Sequence, residues 1–565
     1  MQRLRLLLAM LMLTTCALGQ QKTITGTITG GTTKEPLQGV SVQGKNKSVT
    51  TDASGKFTIQ ASVGEIITLS YVEMNALNFT VTNTTQDVTL TMQEGTNDLN
   101  AVVVTGYQTQ RKVDLTGAVS VVNLEETKNI PAASPMQALQ GRVPGLYIET
   151  DGSPAGGTRR LLIRGLNTLG NSDPLYVIDG VPTKSSAVFT SLNPNSIASI
   201  QILKDASAAS IYGARASNGV IIVTTKEGKP KEGQERVSIQ LNSSVSVQTE
   251  KPWREDVLNA EERGRVLWRA AVNDRTDPSV HRAIYTYDWN GDYGKPILNK
   301  VNIVPFVGGD SLQPVGNTDW QDASYERAII NSHDLTISAG TAKSSMLINL
   351  AYYKNTGMLA FTNYDRYSAR FNSHTSLFNE KLKIGENFQL SRSSEKLQSN
   401  DLGGASVPDL AVTLAPTIPV FRKDGAYAGP IGAGYSDRNN PVNMQYVNRW
   451  DKTNRFIIFG NVYADLEPVK NLHFRTSFGA DYSTTRIKNI DPAFQEGFLG
   501  RSVNSLSLNE SSILSMTWTN TLSYQIELGV HRLNALAGTE AIREDLESLG
   551  AFREGFAVED EITIT

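Results

Sequence analysis

The 565-residue chain holds a single cysteine, Cys16. One thiol within the first twenty residues builds no disulfide framework and leaves the body of the chain without a thiol nucleophile. Histidine is scarce, five in all, and none opens an H-x-x-E or H-E-x-x-H zinc pattern, so no metal site is expected. No stretch approaches eighteen consecutive apolar residues, which excludes a membrane-spanning helix. A surplus of positive charge is missing too. Lys+Arg 53 against Asp+Glu 56 leaves a net charge of −3, and nothing points to nucleic acid. Neither a Walker-type phosphate loop nor a G-x-S-x-G elbow occurs, so an ATPase or hydrolase has no motif to stand on and no cofactor is expected.

What is present begins with a leader at 1–19. Arg3 and Arg5 precede the apolar run 6–13, and Ala17-Leu18-Gly19 ends on a small residue suited to cleavage before Gln20. A lipobox at Cys16 is the rival reading, with Thr15 a poor fit before it. An exported chain with almost no cysteine is not a disulfide-stapled module. It can still enter a membrane as a β-barrel, whose signal per segment is weak.

Residues 22–93 read as a small β-sandwich, with short alternating strands at 23–28, 40–43, 57–60, 66–71, 78–81 and 88–92 separated by turn clusters such as Asp52-Ala53-Ser54-Gly55. A polar linker, 94–112, carries the β-branched run Ala101-Val102-Val103-Val104-Thr105. A Gly-rich αβ region follows over 113–228. There Ser134-Pro135 reads as an N-cap and first helical residue, strands fall at 145–150, 159–165, 174–179, 199–204 and 219–226, and Asp205 caps an Ala/Ser helix ending at Gly213. Asp179-Gly180 reads as a turn, and Gly213 and Gly219 as positions of special backbone geometry.

From 235 to 565 the texture is long two-residue alternation, about nine strands whose second face is Ser, Asn, Gln, Arg and Asp. Their length exceeds the usual five or six or so residues of soluble strands. Polar insertions, chiefly 251–330 and 396–450, interrupt them. A barrel with a wet interior and outward loops fits this pattern. The aromatics Tyr352, Tyr353, Phe361, Tyr364 and Tyr367 are candidates for an interfacial girdle or a sugar-stacking surface.

The stretches Ala101-Val102-Val103-Val104-Thr105-Gly106-Tyr107, Asp114-Leu115-Thr116-Gly117, Leu139-Gln140-Gly141-Arg142-Val143-Pro144-Gly145, Pro174-Leu175-Tyr176-Val177-Ile178-Asp179-Gly180 and Leu203-Lys204-Asp205-Ala206-Ser207-Ala208-Ala209-Ser210-Ile211-Tyr212-Gly213 resemble, in order and spacing, SusC/RagA-type TonB-linked outer-membrane receptors. The resemblance extends upstream, where Pro36-Leu37-Gln38-Gly39-Val40 is similar to a carboxypeptidase-regulatory-like module without peptidase activity. Downstream it takes in Asn317-Thr318-Asp319-Trp320 and Leu536-Ala537-Gly538-Thr539-Glu540.

The resemblance implies a mostly β chain: a periplasmic regulatory-like sandwich, an αβ plug domain, and the first strands of a large antiparallel transmembrane barrel. It implies a nutrient importer in the outer membrane, in contact with its lipid, taking up glycan or peptide. TonB with ExbB–ExbD would supply energy and a SusD-like surface lipoprotein would act as lid. The run at Ala101, Val102, Val103, Val104 and Thr105 would then be the TonB box, an extended segment that adds as a strand to a sheet edge of TonB. Arg164 and Arg215 stand where related receptors pair plug arginines with barrel glutamates, and fixing the docked plug is their implied role. A signal-transducing receptor is the alternative, and so is a truncated product. Only about 330 residues follow position 235, whereas about twenty-two membrane strands need roughly 9–11 residues each. The barrel is therefore expected to be incomplete, and Glu561-Ile562-Thr563-Ile564-Thr565 lacks a terminal aromatic.

Overall fold

A computed structural model describes residues 21–565 except 32–33, 46, 72–73, 76, 84, 86, 93–101, 106–107, 112–118, 124–131, 169, 206–208, 229–235, 250–253, 398–403, 433–434, 529–530 and 558–565. The leader at 1–19 and Ala101 therefore lie outside the described residues. The chain is mostly β and divides into two compact units, 1–116 and 117–565.

The first unit opens with strands β1 (Gln21–Gly30), β2 (Ser41–Gln43), β3 (Ser48–Thr50), β4 (Lys56–Ser62), β5 (Ile66–Ser70), β6 (Leu77–Thr80) and β7 (Asp87–Met92). Two sheets form, in the orders β4-β1-β7 and β3-β2-β5-β6. Alternation along β4 buries Phe57, Ile59 and Ala61, which join Ile24, Ile28, Val42, Ile67 and Leu69 in one core. Gly26 is required there, because a Cβ would come within 2.7 Å of the Phe57 ring and Val88. In the 52–55 turn, Asp52 accepts hydrogen bonds from the backbone N–H groups of Ser54 and Lys56, both 2.9 Å. These hold its carboxyl below the usual carboxylate range, the Lys56 N–H contributing most. The unit also contains β8 (Val102–Thr105) and β9 (Gln108–Arg111).

The second unit has β10 (Val119–Asn123), β11 (Leu146–Thr150), β12 (Thr158–Ile163), β13 (Leu175–Ile178), β14 (Val181–Thr183), β15 (Ile197–Leu203) and β16 (Val220–Thr225), of which all but β10 and β14, which were not expected, lie within a few residues of the expected strands. Five of them form a sheet ordered β10-β15-β16-β13-β14. Helices Pro135–Leu139 and Ser186–Ser191 cover it. Tyr176 stacks on Phe189 at 5.1 Å within a core of Met136, Leu139, Ile178, Ile200, Ile221 and Val223.

Two local expectations need correction. Ser134 is extended but its hydroxyl caps nothing; the side chain of Gln137 accepts from Ala133 N at 2.7 Å instead. Residues 206–208 of the helix expected to end at Gly213 lie outside the described residues; its described end does not stop there but runs on as a 3₁₀ stretch, Ser210–Ala216, bent at Gly213, whose φ is +64°. Positive φ at that residue interrupts the helix without stopping the chain's turn.

The remainder is a nine-stranded antiparallel sheet: β17 (Arg236–Gln248), then, after a hairpin of β18 (Tyr285–Trp289) and β19 (Leu298–Ile303), β20 (Ala328–Gly340), β21 (Ser344–Asn355), β22 (Asn363–Leu377), β23 (Leu382–Lys396), β24 (Lys452–Val469) and β25 (Leu472–Asp491). It ends, after a small hairpin of β26 (Phe494–Glu496) and β27 (Leu499–Arg501), with β28 (Ser505–Leu528) and β29 (His531–Glu554). Short turns at 341–343, 378–381 and 470–471 join strands at one end; long excursions leave from the other. The burial pattern is inverted relative to a soluble sheet. Asp334, Asn349, Arg370, Asn372, Gln389 and Asp481 are buried, while Leu241, Leu350, Phe388 and Trp518 are exposed, Leu241 by 68%. Apolar-out, polar-in alternation is the signature of a transmembrane β wall. Among the described residues no helix is long and apolar enough to cross a membrane.

The excursions fold together. Thr318 Oγ1 donates to Ile418 O at 2.8 Å and Trp320 Nε1 to Ala415 O at 3.1 Å. Glu496, buried, accepts from Asn439 Nδ2 (2.5 Å), Asn440 N (2.8 Å) and Asn443 Nδ2 (2.6 Å), so one carboxylate ties the β26–β27 hairpin to the 404–450 excursion.

Candidate functional site

The site is the surface along which the 117–228 sheet meets the polar face of the nine-stranded wall. At its centre is the tip of the β13–β14 hairpin. Ile178 pairs with Val181, so Asp179 and Gly180 form a two-residue turn, with φ of +49° and +87°. Positive φ at both positions is the type I′ geometry that Asp-Gly favours. The turn holds the Asp179 carboxylate where Thr225 N and Thr225 Oγ1 each donate to it at 2.9 Å. Arg370 of β22 completes the shell through Nη2, and its Nη1 donates to Gln389 Oε1 at 3.0 Å. Gln389 Nε2 then donates to Ser191 Oγ at 2.9 Å. The two charged side chains are only 3% and 9% exposed. A buried pair of this kind owes its value to geometry and satisfied partners; losing one member leaves an uncompensated charge.

Four further contacts extend the interface. Asp334 of β20 accepts from the side chain of Asn193 and, at 2.6 Å, from Asn349 Nδ2. Thr183 Oγ1 donates to Asp481 Oδ2 of β25 at 2.8 Å. Arg366 Nη1 donates to Ala133 O at 2.5 Å and to Thr190 O at 3.2 Å. Gly479 leaves a flat place on the wall for the hairpin, since a Cβ there would fall 2.7 Å from Val181. Apolar packing continues across the same surface, where Ile457 and Phe459 of β24 share the 117–228 core.

The two arginines expected to dock the plug part company. Arg215 bonds Glu540 of β29, and Thr519 Oγ1 also donates to that carboxylate at 3.3 Å. Glu540 closes the Leu536–Glu540 stretch, one of those that carry the family resemblance. Arg164 pairs instead with Asp205 inside its own domain, with its side chain half exposed. Asp205 thus carries an ion pair, and its carbonyl accepts from Ala209 N at 3.1 Å, an i→i+4 bond of the kind that opens a helix. Beside it Lys204 Nζ donates to Pro144 O at 2.5 Å; loss of hydration, then repulsion from Arg164, lowers its pKa. Arg159 and Arg160 are exposed.

Sequence reading missed Asp179 as a ligand, along with Asn193, Asp334, Arg370 and Asp481. The usable signal was parity: each wall residue falls on the interior face that alternation assigns. The aromatics also divide by parity. Tyr352 and Tyr367, 4.9 Å apart, share the outer face with His333, whereas Tyr353 and Tyr364 are buried against Ala133. Phe361 sits on the excursion side, edge-on to Tyr446 at 6.2 Å.

The described part of the 101–105 run, Val102–Thr105, is extended as expected, but it is not solitary. Val102–Thr105 pairs antiparallel with Gln108–Arg111 in a two-stranded sheet of its own.

Residues 111–220 match the TonB-dependent Receptor Plug Domain family, and residues 24–104 the CarboxypepD_reg-like domain family. TonB-dependent receptor P26 of Formosa agariphila is 31% identical over 547 residues, covering 96% of this chain and 51% of that protein. TonB-dependent receptor SusC of Bacteroides thetaiotaomicron is 30% identical over 516 residues, covering 85% and 46%. The solved RagAB peptide importer, in an open-open state, superposes with a TM-score of 0.64 and 26% identity over 82% of this chain and 51% of that one. The chain thus spans about half the length of the curated relatives it matches. By its two matched domains, its relatives and its fold, it belongs to the SusC/RagA type of TonB-dependent receptors.

Proposed function

We propose that this chain supplies the plug, the coupling segment and part of the wall of an outer-membrane nutrient importer. Its substrate class is glycan oligosaccharide or peptide. The observation that carries the reading is a plug held on a polar wall by side-chain bonds, Asp179 to Arg370 foremost, while the other face of that wall is apolar. A plug held by polar contacts can be released and re-seated, because water replaces lost partners once the contacts open. The wall lies in the outer membrane and residues 22–93 in the periplasm.

Energy enters at Ala101, Val102, Val103, Val104 and Thr105. TonB, driven by ExbB–ExbD and the proton gradient, grips this run by strand addition and pulls; main-chain bonds give the affinity. The load passes along the chain to β10, an edge strand of the plug sheet, and Arg215–Glu540 helps to fix the docked plug. A SusD-like surface lipoprotein closes over the excursions at the outer end.

The test is deletion of residues 101–105 in a full-length receptor carrying this sequence. Uptake of the cognate nutrient is expected to vanish while surface binding persists. Unchanged uptake would refute energy coupling through this run.

A further inference from the structure

The coupling run carries more information as a hairpin than as an extended segment. Thr105 pairs with Gln108, Val104 with Thr109, Val103 with Gln110 and Val102 with Arg111. Only two residues separate Thr105 from Gln108, so that closing pair exchanges both of its N–H···O=C bonds. Hydrogen-bonded and non-hydrogen-bonded pairs alternate along an antiparallel ladder. Val103 and Thr105 therefore turn their backbone groups toward β9. Val102 and Val104 turn theirs the other way. No other strand among the described residues pairs with β8, so with respect to them this second edge is open, with the two N–H and two C=O groups of Val102 and Val104 along it.

We infer that the coupling element docks on its periplasmic partner as a preformed hairpin, with the partner's strand adding to the open edge of β8 through the backbone groups of Val102 and Val104. The inference rests on the function proposed above, under which the partner is TonB, and it deepens that reading. The occupant is an extended strand, because an open strand edge is complementary only to another strand's row of donors and acceptors. Pairing with β9 blocks the opposite edge, so the partner meets one edge and one register rather than two. It also prepays part of the ordering cost that a loose segment meets on binding. Side-chain identity matters little on this account; the parity of the backbone groups matters a great deal.

Locking the hairpin tests this. Val104 and Thr109 form a non-hydrogen-bonded pair, whose Cα atoms lie about 4.5 Å apart in such ladders, within reach of a disulfide. The variant Val104→Cys/Thr109→Cys, with Cys16→Ser in the full chain, is titrated with the purified periplasmic domain of TonB in oxidised and reduced form. The dissociation constants are expected to agree within threefold. A larger loss on oxidation, reversed by reductant, would overturn the hairpin and leave coupling through 101–105 standing. No binding by either form or by the unmodified chain would overturn the coupling reading itself. A second comparison checks the edge. Val104→Pro removes an outward N–H and is expected to weaken binding at least tenfold, whereas Val103→Pro removes an inward one and costs less. Equal losses, or the reverse order, would overturn the edge assignment.

Discussion

Asp179 concentrates the docking of the plug into one carboxylate. Its hairpin turn fixes the backbone, Thr225 supplies two donors and Arg370 a third. Arg370→Ala should leave that carboxylate buried with its charge uncompensated, at a cost of about 3–5 kcal/mol. The double change Asp179→Asn/Arg370→Gln removes both charges and should recover part of the loss. Urea unfolding of the full chain measures both; equal midpoints for the single and double variants would show that the pair is not coupled. Arg164 is the contrast. Its partner Asp205 is local and its side chain half exposed, so screening leaves an expected loss of about 0–1 kcal/mol for Arg164→Ala. A loss comparable to that of Arg370→Ala would mean that Arg164 does more than this pair shows.

At the scale of elements, the wall was legible because period-2 alternation is local, and about nine strands were readable where nine are found. Five of the seven plug strands were legible as apolar or β-branched runs beside turn residues; β10 and β14 were not. Helix ends were harder to read, because a single residue decides them: Ser134 offers no cap bond, and Gly213 bends a 3₁₀ run. The docking pairs were not legible, because Asp179 and Arg370 are 191 positions apart and only the register of β22 against its neighbours brings them together. The hairpin at 102–111 is short-range, yet its second strand, Gln108-Thr109-Gln110-Arg111, carries no apolar alternation to mark it. Two substitutions separate the faces of the wall. Leu350 is exposed on the apolar face of β21, so in a receptor whose wall continues past β29 and closes, Leu350→Arg should lower the yield of folding into lipid vesicles, by about 2–4 kcal/mol for a site at the bilayer midplane. Gly479→Leu acts on the other face, where a side chain would collide with Val181. In the same closed receptor it should loosen the plug, read as faster protease cleavage within 117–228, and leave lipid insertion unchanged. Loss of insertion in both variants would mean that the faces are not independent.

For the whole molecule the decisive feature is the edges of the wall. Among the described residues the order runs from β17 to β29 without closing. Among the described residues the outer edge of each of these strands pairs with nothing. In lipid every such N–H and C=O costs several kcal/mol, which is why membrane sheets close into barrels. The buried polar network does not help here, since it serves the inner face and not the strand edges. These 565 residues alone are therefore expected not to insert stably into phosphatidylcholine vesicles; the wall strands should stay accessible to protease and extractable by urea. The same residues within a chain that continues the strand order past β29 and back to β17 should become resistant to both. Stable insertion of the 565 residues alone would mean that the two edges are satisfied by some other pairing, and cross-linking would then show whether β17 of one copy lies beside β29 of another.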